Sequence, residues 1–178
     1  MGRKKEFFKS TNDIQFGESI SLRVKKLYKQ ERDWTCSLAC IRTLLSSRDK
    51  KVYTEDYYID KFRLKPGPYY SKNIKKIGIL KDFDVKYGCD SKNTNFDTVL
   101  NLMSEGYAVM LEWMYNYSHW MVLLGYYRLG SNIENNLITC FEPYYNQVRT
   151  INVDEFIGMW VDGDYKKSNV EKDFIAIR

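Results

Sequence analysis

The stretch that decides the fold is Gln30-Glu31-Arg32-Asp33-Trp34-Thr35-Cys36-Ser37-Leu38-Ala39-Cys40. From Cys36 onward the apolar positions Leu38, Ile41, Leu44 and Leu45 recur at helical spacing until Ser46 and Ser47 close the run, which predicts an amphipathic helix over 36–47. The preceding residues, 28–35, are polar and irregular, and predict a loop that delivers Gln30 to the start of that helix. Cys36 therefore falls in or just before the first turn, where the N-terminal end of the helix dipole favours a thiolate. The only histidine, His119, opens the apolar run Trp120-Met121-Val122-Leu123-Leu124-Gly125-Tyr126, which reads as a strand. A group that titrates near neutrality thus stands at a strand start, and a nucleophile at a helix start.

Working outward, Ile20, Leu22 and Val24 alternate with polar residues like a short edge strand. A second helix is expected over 54–62, ended by the turn Lys65-Pro66-Gly67-Pro68, and a third is expected to be capped by Ser71 and to present Ile74, Ile77 and Leu80. The period then changes: Phe83, Val85 and Tyr87 alternate as a strand, and Asn95 caps a helix that buries Phe96, Val99, Leu100 and Met103 and stops at Gly106. Strands follow over 107–113, 119–127, 137–141 and 174–177, with 129–136 as a hairpin loop. The order predicts an α+β chain with a helical N-terminal half and an antiparallel sheet in the C-terminal half. No repeat, low-complexity linker or composition break divides it, so residues 1–178 are expected to form one domain, with 1–17 a flexible basic arm.

Composition narrows the function. At 178 residues and 44% hydrophobic the chain can bury a sizeable core, and 16% aromatic content, with 15 tyrosines, is too high for a disordered chain. The net charge of +5 is mild, and no basic block interleaved with aromatics points to nucleic acid, although an acidic partner fits. No run approaches the roughly 18 apolar residues of a membrane span, and the start Met1-Gly2-Arg3-Lys4-Lys5-Glu6 has no apolar signal core, so a cytoplasmic protein without membrane contact is expected. Glu6 spoils a myristoylation pattern, and Asn116-Tyr117-Ser118 reads as a chance glycosylation sequon, because a glycan there would crowd His119. Cys36, Cys40, Cys89 and Cys140 are too few and wrongly spaced for a disulfide scaffold or zinc module, so free thiols and no metal or cofactor are expected.

Thiol acyl transfer needs a thiolate, a base, an orienter for that base and donors for an oxyanion. The chain supplies a candidate for each: Cys36 as nucleophile, His119 as base and acid, Glu142 at the end of the 137–141 strand as orienter, and the Gln30 amide beside the Cys36 N–H as oxyanion donor. Trp34, Trp120 and Ser37 are the expected substrate contacts, and Cys40, Cys89 and Cys140 are read as packing residues.

These segments, with Glu142-Pro143, resemble the papain-like cysteine peptidase domain of bacteriocin-exporting transporters, the double-glycine leader peptidases. Within that group they look most similar to the guanylyl-cyclase-domain-containing family, which carries a similar Asp-Trp-x-Cys-x-Leu-Ala-Cys segment. The resemblance runs from about Leu22 to the end of the chain and implies a papain-like fold with Gln30, Cys36 and His119 as oxyanion donor, nucleophile and base. Ser37 and Ser118 stand where the family often has Gly, and Glu142 where it has Asp or Asn.

The resulting expectation is a hydrolase that cuts a peptide, isopeptide or other amide bond of a peptide or protein substrate through a thioester. Three alternatives accompany it: an acyltransferase on the same site, a non-catalytic peptide- or protein-binding member of the fold, and guanylyl-cyclase-like nucleotide chemistry. The last is disfavoured because the chain has no glycine-rich phosphate loop.

Overall fold

The computed structural model describes residues 19–91, 94–114, 118–132, 135–160 and 172–178. The expected arm at 1–17 and the Asn116-Tyr117 part of the sequon lie outside the described residues. In chain order the elements are β1 (Ser19–Ser21), α1 (Cys36–Ser47), α2 (Glu55–Phe62), α3 (Ser71–Ile77), β2 (Val85–Tyr87), α4 (Phe96–Ser104), β3 (Ala108–Met114), β4 (Ser118–Tyr127), β5 (Leu137–Glu142), β6 (Gln147–Asn152), α5 (Val153–Met159) and β7 (Phe174–Ile177).

One sheet, in the order β2-β7-β3-β4-β5-β6, organises these elements, and β1 adds to the far half of β4. Every pairing among them is antiparallel. Both faces of the sheet are covered. Met110, Trp120, Val122, Phe141 and Ile175 pack with Leu38, Ile41 and Leu44 of α1, while Val109, Leu111, Met121, Leu123 and Phe174 pack with α4 and with Val153 and Phe156 of α5. That double cover is why β3, β4 and β7 read as continuous apolar runs rather than alternating ones.

The boundaries follow local chemistry. Asn95 accepts the Thr98 N–H at 2.9 Å and starts α4, and Gly106 takes the left-handed backbone (φ 88°) that ends it. The edge strand expected to include Leu22 and Val24 ends at Ser21, and two expectations for α3 change as well. Ser71 is the first residue of α3 rather than its cap; Tyr70 takes the cap position, with its N–H bound to the Asn73 side chain at 3.1 Å. The α3 helix also stops at Ile77, where Gly78 turns left-handed, so Leu80 reaches the core from the following turn.

Helix α1 departs more from its amphipathic reading, because it is enclosed nearly all round: Ser37, Arg42, Thr43 and Ser46 are buried along with the apolar positions. The segment leading to Gln30 runs back along this polar face and satisfies it. The Ser46 hydroxyl donates to the Lys26 carbonyl at 2.8 Å, the Tyr28 N–H donates to Thr43 Oγ1 at 3.1 Å, and the Arg42 guanidinium meets Glu31 at 2.6 Å. This polar seam aligns the loop with the helix and leaves Gln30 beside the helix N-terminus.

Strand β6 and helix α5 had no counterpart in the sequence reading. In β6 only Ile151 is buried, since the strand forms the sheet edge, so its apolar signal is nearly absent. Helix α5 is just 7 residues long.

Candidate active site

Cys36 is the first residue of α1, preceded by Thr35 as N-cap, and its thiol is partly exposed. Thr35 does not cap the helix with its hydroxyl. It donates that hydroxyl to the Arg32 carbonyl at 2.9 Å and accepts the Arg32 N–H at 3.0 Å, which closes the 32–35 turn in front of the helix. No acidic side chain occupies the first turn of α1, so the positive end of its dipole is not neutralised where the thiol sits.

His119, near the start of β4, hydrogen-bonds the Cys36 thiol on one side and Glu142 on the other. Nε2 lies 2.6 Å from Glu142 Oε1, which leaves Nδ1 as the nitrogen available to sulfur. Burial disfavours the charged ring, but the bonds to Cys36 and Glu142 and their negative charge outweigh it, and the imidazole is pushed up to about 9. The imidazole is therefore held in its charged form against the Cys36 sulfur.

Glu142 ends β5 and is buried. Burial works to raise its carboxyl, yet the His119 bond and the N–H groups of Tyr145 and Tyr144, at 2.9 and 2.7 Å, hold it below the ordinary range. The tight turn at 143–146 brings the Tyr144 and Tyr145 amides to the carboxylate, and the left-handed backbone of Asn146 (φ 56°) returns the chain into β6.

Gln30 is buried, and its Nε2 donates to the Arg32 carbonyl at 2.8 Å, which uses one of its two N–H bonds. Its backbone N–H donates to the Pro143 carbonyl at 3.1 Å. A cavity of about 430 Å³ opens between this loop and the Glu142 turn, lined by Lys29, Gln30, Arg32, Tyr144 and Tyr145 among others.

The loop is held from behind by a group the sequence reading passed over. Glu55, the first residue of α2, is fully buried, accepts the Glu31 N–H at 3.1 Å and hydrogen-bonds the Thr35 side chain. Arg42 lies 3.6 Å from Glu55 Oε1 and 4.5 Å from the centre of the Tyr28 ring. Burial pushes the Glu55 carboxyl up. The signal in the sequence was Arg42, a charge midway along a helix otherwise read by its apolar spacing. Glu112, buried in β3 and bound by the Ser118 hydroxyl, was legible in the same way as a lone carboxylate in an apolar strand.

Of the expected substrate contacts, only Trp34 keeps exposed surface, and its ring packs against Tyr69 with centres 6.3 Å apart. Trp120 and Ser37 are both 2% exposed. Trp120 is part of the α1-facing core and donates its indole N–H to the Tyr69 carbonyl at 2.8 Å, which anchors it beneath the surface. Ser37 is likewise buried, although Cys36 beside it keeps exposed surface. Cys40 and Cys140 are buried with thiols pushed up by burial, Cys140 to about 12, which suits packing residues. Among the described residues no cluster of His, Cys, Asp and Glu has the arrangement of a metal site.

No family model matches the chain, and no curated protein sequence does. Among solved structures it is similar to the peptidase domain of Streptococcus ComA, a bifunctional ABC transporter involved in a quorum-sensing pathway. The TM-score is 0.53 at 13% identity, over 86% of this chain and 96% of that one. The chain has the papain-like fold of that domain, in agreement with the expected α+β chain and with the fold the resemblance implied. The guanylyl-cyclase-domain-containing family, expected as the nearest relation, is not supported by these comparisons.

Proposed function

We propose that the protein is a thiol-dependent hydrolase that cleaves a peptide, isopeptide or other amide bond of a peptide or protein. The observation that carries this reading is His119, buried and held between the Cys36 thiol and the Glu142 carboxylate with its proton retained up to about 9. A purely structural histidine has no need of a partly exposed thiol at a helix N-terminus as its second partner.

In this mechanism the Cys36 thiolate attacks the carbonyl carbon, and the oxyanion is received by the Cys36 N–H and the second N–H of Gln30 Nε2. His119 Nδ1–H protonates the leaving amine. The neutral imidazole then takes a proton from water, which attacks the thioester and regenerates the thiol. Glu142 keeps Nε2–H engaged throughout, so the ring stays oriented and its charged state stabilised. Acyl transfer would use the same residues and end with a different nucleophile at the thioester. Cys36, Cys40, Cys89 and Cys140 are all free, and we place the protein in a reducing compartment such as the cytosol.

The test is incubation with a proteome-derived peptide library, reading new termini by mass spectrometry for wild type and for Cys36→Ala. Cleavage, or a hydroxylamine-sensitive acyl adduct on Cys36, is the expected result. Products equally abundant with Cys36→Ala would overturn the reading.

A further inference from the structure

A second cavity, of about 310 Å³, lies where the end of α1 meets α2 and the turn after α3. Leu45 lines it, and Cys36 begins the same helix, so at about 1.5 Å per residue the two sites are about 14 Å apart along the helix axis. Nothing in the proposed hydrolysis uses it.

Four lysines border this cavity: Lys50, Lys51, Lys61 and Lys81, against the single carboxylate of Asp82. Three exposed lysines elsewhere have acidic partners, Lys25 with Asp49 at 2.8 Å, Lys75 with Asp90 at 2.6 Å and Lys86 with Asp84 at 3.4 Å, whereas Lys29, Lys65, Lys72 and Lys76 pair with no carboxylate among the described residues but are not gathered around this hollow. Around the cavity, among the described residues, no carboxylate pairs with any of the four. Aromatic rings hold three of them instead. Lys51 Nζ stands 4.8 Å from the Tyr53 ring centre, Lys50 stands 5.9 Å from Phe83, and Lys61 stands 5.2 Å from Tyr57 with a 3.0 Å bond to its hydroxyl.

These rings restrict lysine side chains that would otherwise sweep freely, so less entropy is lost when an anion orders them. Crowding four ammonium groups around one hollow raises the local potential, and the single carboxylate of Asp82 offsets only part of it. Lysine is a compact point charge suited to phosphate oxygens. The volume sits at the small end of sites for small molecules. Tyr53 and Tyr57 stack on each other with centres 4.0 Å apart, which takes up ring faces that could have received a planar ring. Charge rather than stacking must then supply the affinity.

We propose that this cavity binds a small phosphorylated molecule through its phosphate oxygens, at a site separate from Cys36. The probe is sodium tripolyphosphate, added to the full chain at low ionic strength with sodium sulfate at matched ionic strength as control. Thermal unfolding should show a saturable rise in Tm with tripolyphosphate and a smaller, non-saturating one with sulfate. Lys51→Ala/Lys61→Ala should weaken binding by tenfold or more, whereas Lys75→Ala, outside the cavity, should leave it unchanged. Acetylation footprinting of the wild type, which needs no variant to fold, should show Lys50, Lys51, Lys61 and Lys81 protected by tripolyphosphate and Lys75 unprotected. Equal affinity in the double variant, or uniform protection of all lysines, would overturn the site as general charge screening. Stronger protection by an oligoglutamate peptide than by tripolyphosphate would overturn the ligand class in favour of an acidic protein segment.

Discussion

The Gln30 backbone N–H donates to the Pro143 carbonyl at 3.1 Å, so the loop that carries the proposed oxyanion donor is tied to the turn that carries Glu142. The same turn feeds two amide N–H groups to the Glu142 carboxylate, which in turn holds His119. Gln30, Glu142 and His119 are thus coupled through a few hydrogen bonds, and a change at one position is expected to register at the others.

Replacement of the proposed nucleophile is the sharpest test. Cys36→Ala removes one partly exposed sulfur and leaves little cavity, so Tm should stay within a few degrees of wild type while turnover drops by about 10³-fold or more. Hydrolysis within a few-fold of wild type would take Cys36 out of the mechanism.

His119→Ala should slow alkylation of Cys36 by iodoacetamide near pH 6, because the imidazolium that stabilises the thiolate is gone. The rate profile should move to higher pH. A profile that coincides with wild type would mean that the ring does not influence the sulfur.

Glu142→Gln should lower the His119 pKa from about 9, since a carboxylate that favours the imidazolium is removed. The alkaline limb of the hydrolysis profile should therefore fall at lower pH than in wild type, with a rate loss of about 10- to 100-fold. Glu142→Asp should also be slower, because the shorter chain draws away from Nε2. Wild-type rates and limbs in both variants would reduce Glu142 to a strand-end residue.

Stability should follow the same groups. His119 is raised in the fold above its ordinary 6.5, so its contribution is full below that pH and is lost as pH rises through about 9. Glu142 is lowered, so its contribution is present above the ordinary carboxylate range and is lost as pH falls through its depressed folded value. Tm measured across pH should decline on the alkaline side in wild type, and His119→Ala should flatten that decline. An identical decline in the variant would assign it elsewhere.

Glu55→Gln should loosen the 30–35 loop without touching the thiol–imidazole pair, because Glu55 grips the Glu31 N–H and the Thr35 side chain. A peptide aldehyde, whose adduct places an oxyanion next to Gln30, should bind about tenfold more weakly, while iodoacetamide alkylation of Cys36 stays unchanged. Equal loss in both reactions would point to a displaced helix instead. Arg42→Ala, which strands the buried Glu55 charge, should cost about 3 kcal/mol of stability in denaturant unfolding.

The elements with strong local signals were legible directly. Helix α1 begins and ends where the spacing of Leu38, Ile41, Leu44 and Leu45 places it, and the apolar runs of β3, β4 and β7 mark the centre of the sheet. The residue types needed for thiol chemistry could also be picked out, because the chain has one histidine and a cysteine at a helix start. Their meeting could not be read in this way. His119 and Glu142 are brought within 2.6 Å by the pairing of β4 with β5, and the loop that carries Gln30 is held along α1 by bonds of Lys26, Tyr28 and Glu31 to Ser46, Thr43 and Arg42. Those contacts join residues far apart along the chain, and periodicity carries no information about them. Burial shows the same division. Trp120 and Ser37 looked available beside the active residues, and only the packing of α1 against the sheet enclosed them. Local propensity and spacing determined which segments are helix and which are strand, whereas the arrangement of thiol, imidazole and carboxylate depended on which surfaces those segments bury against one another.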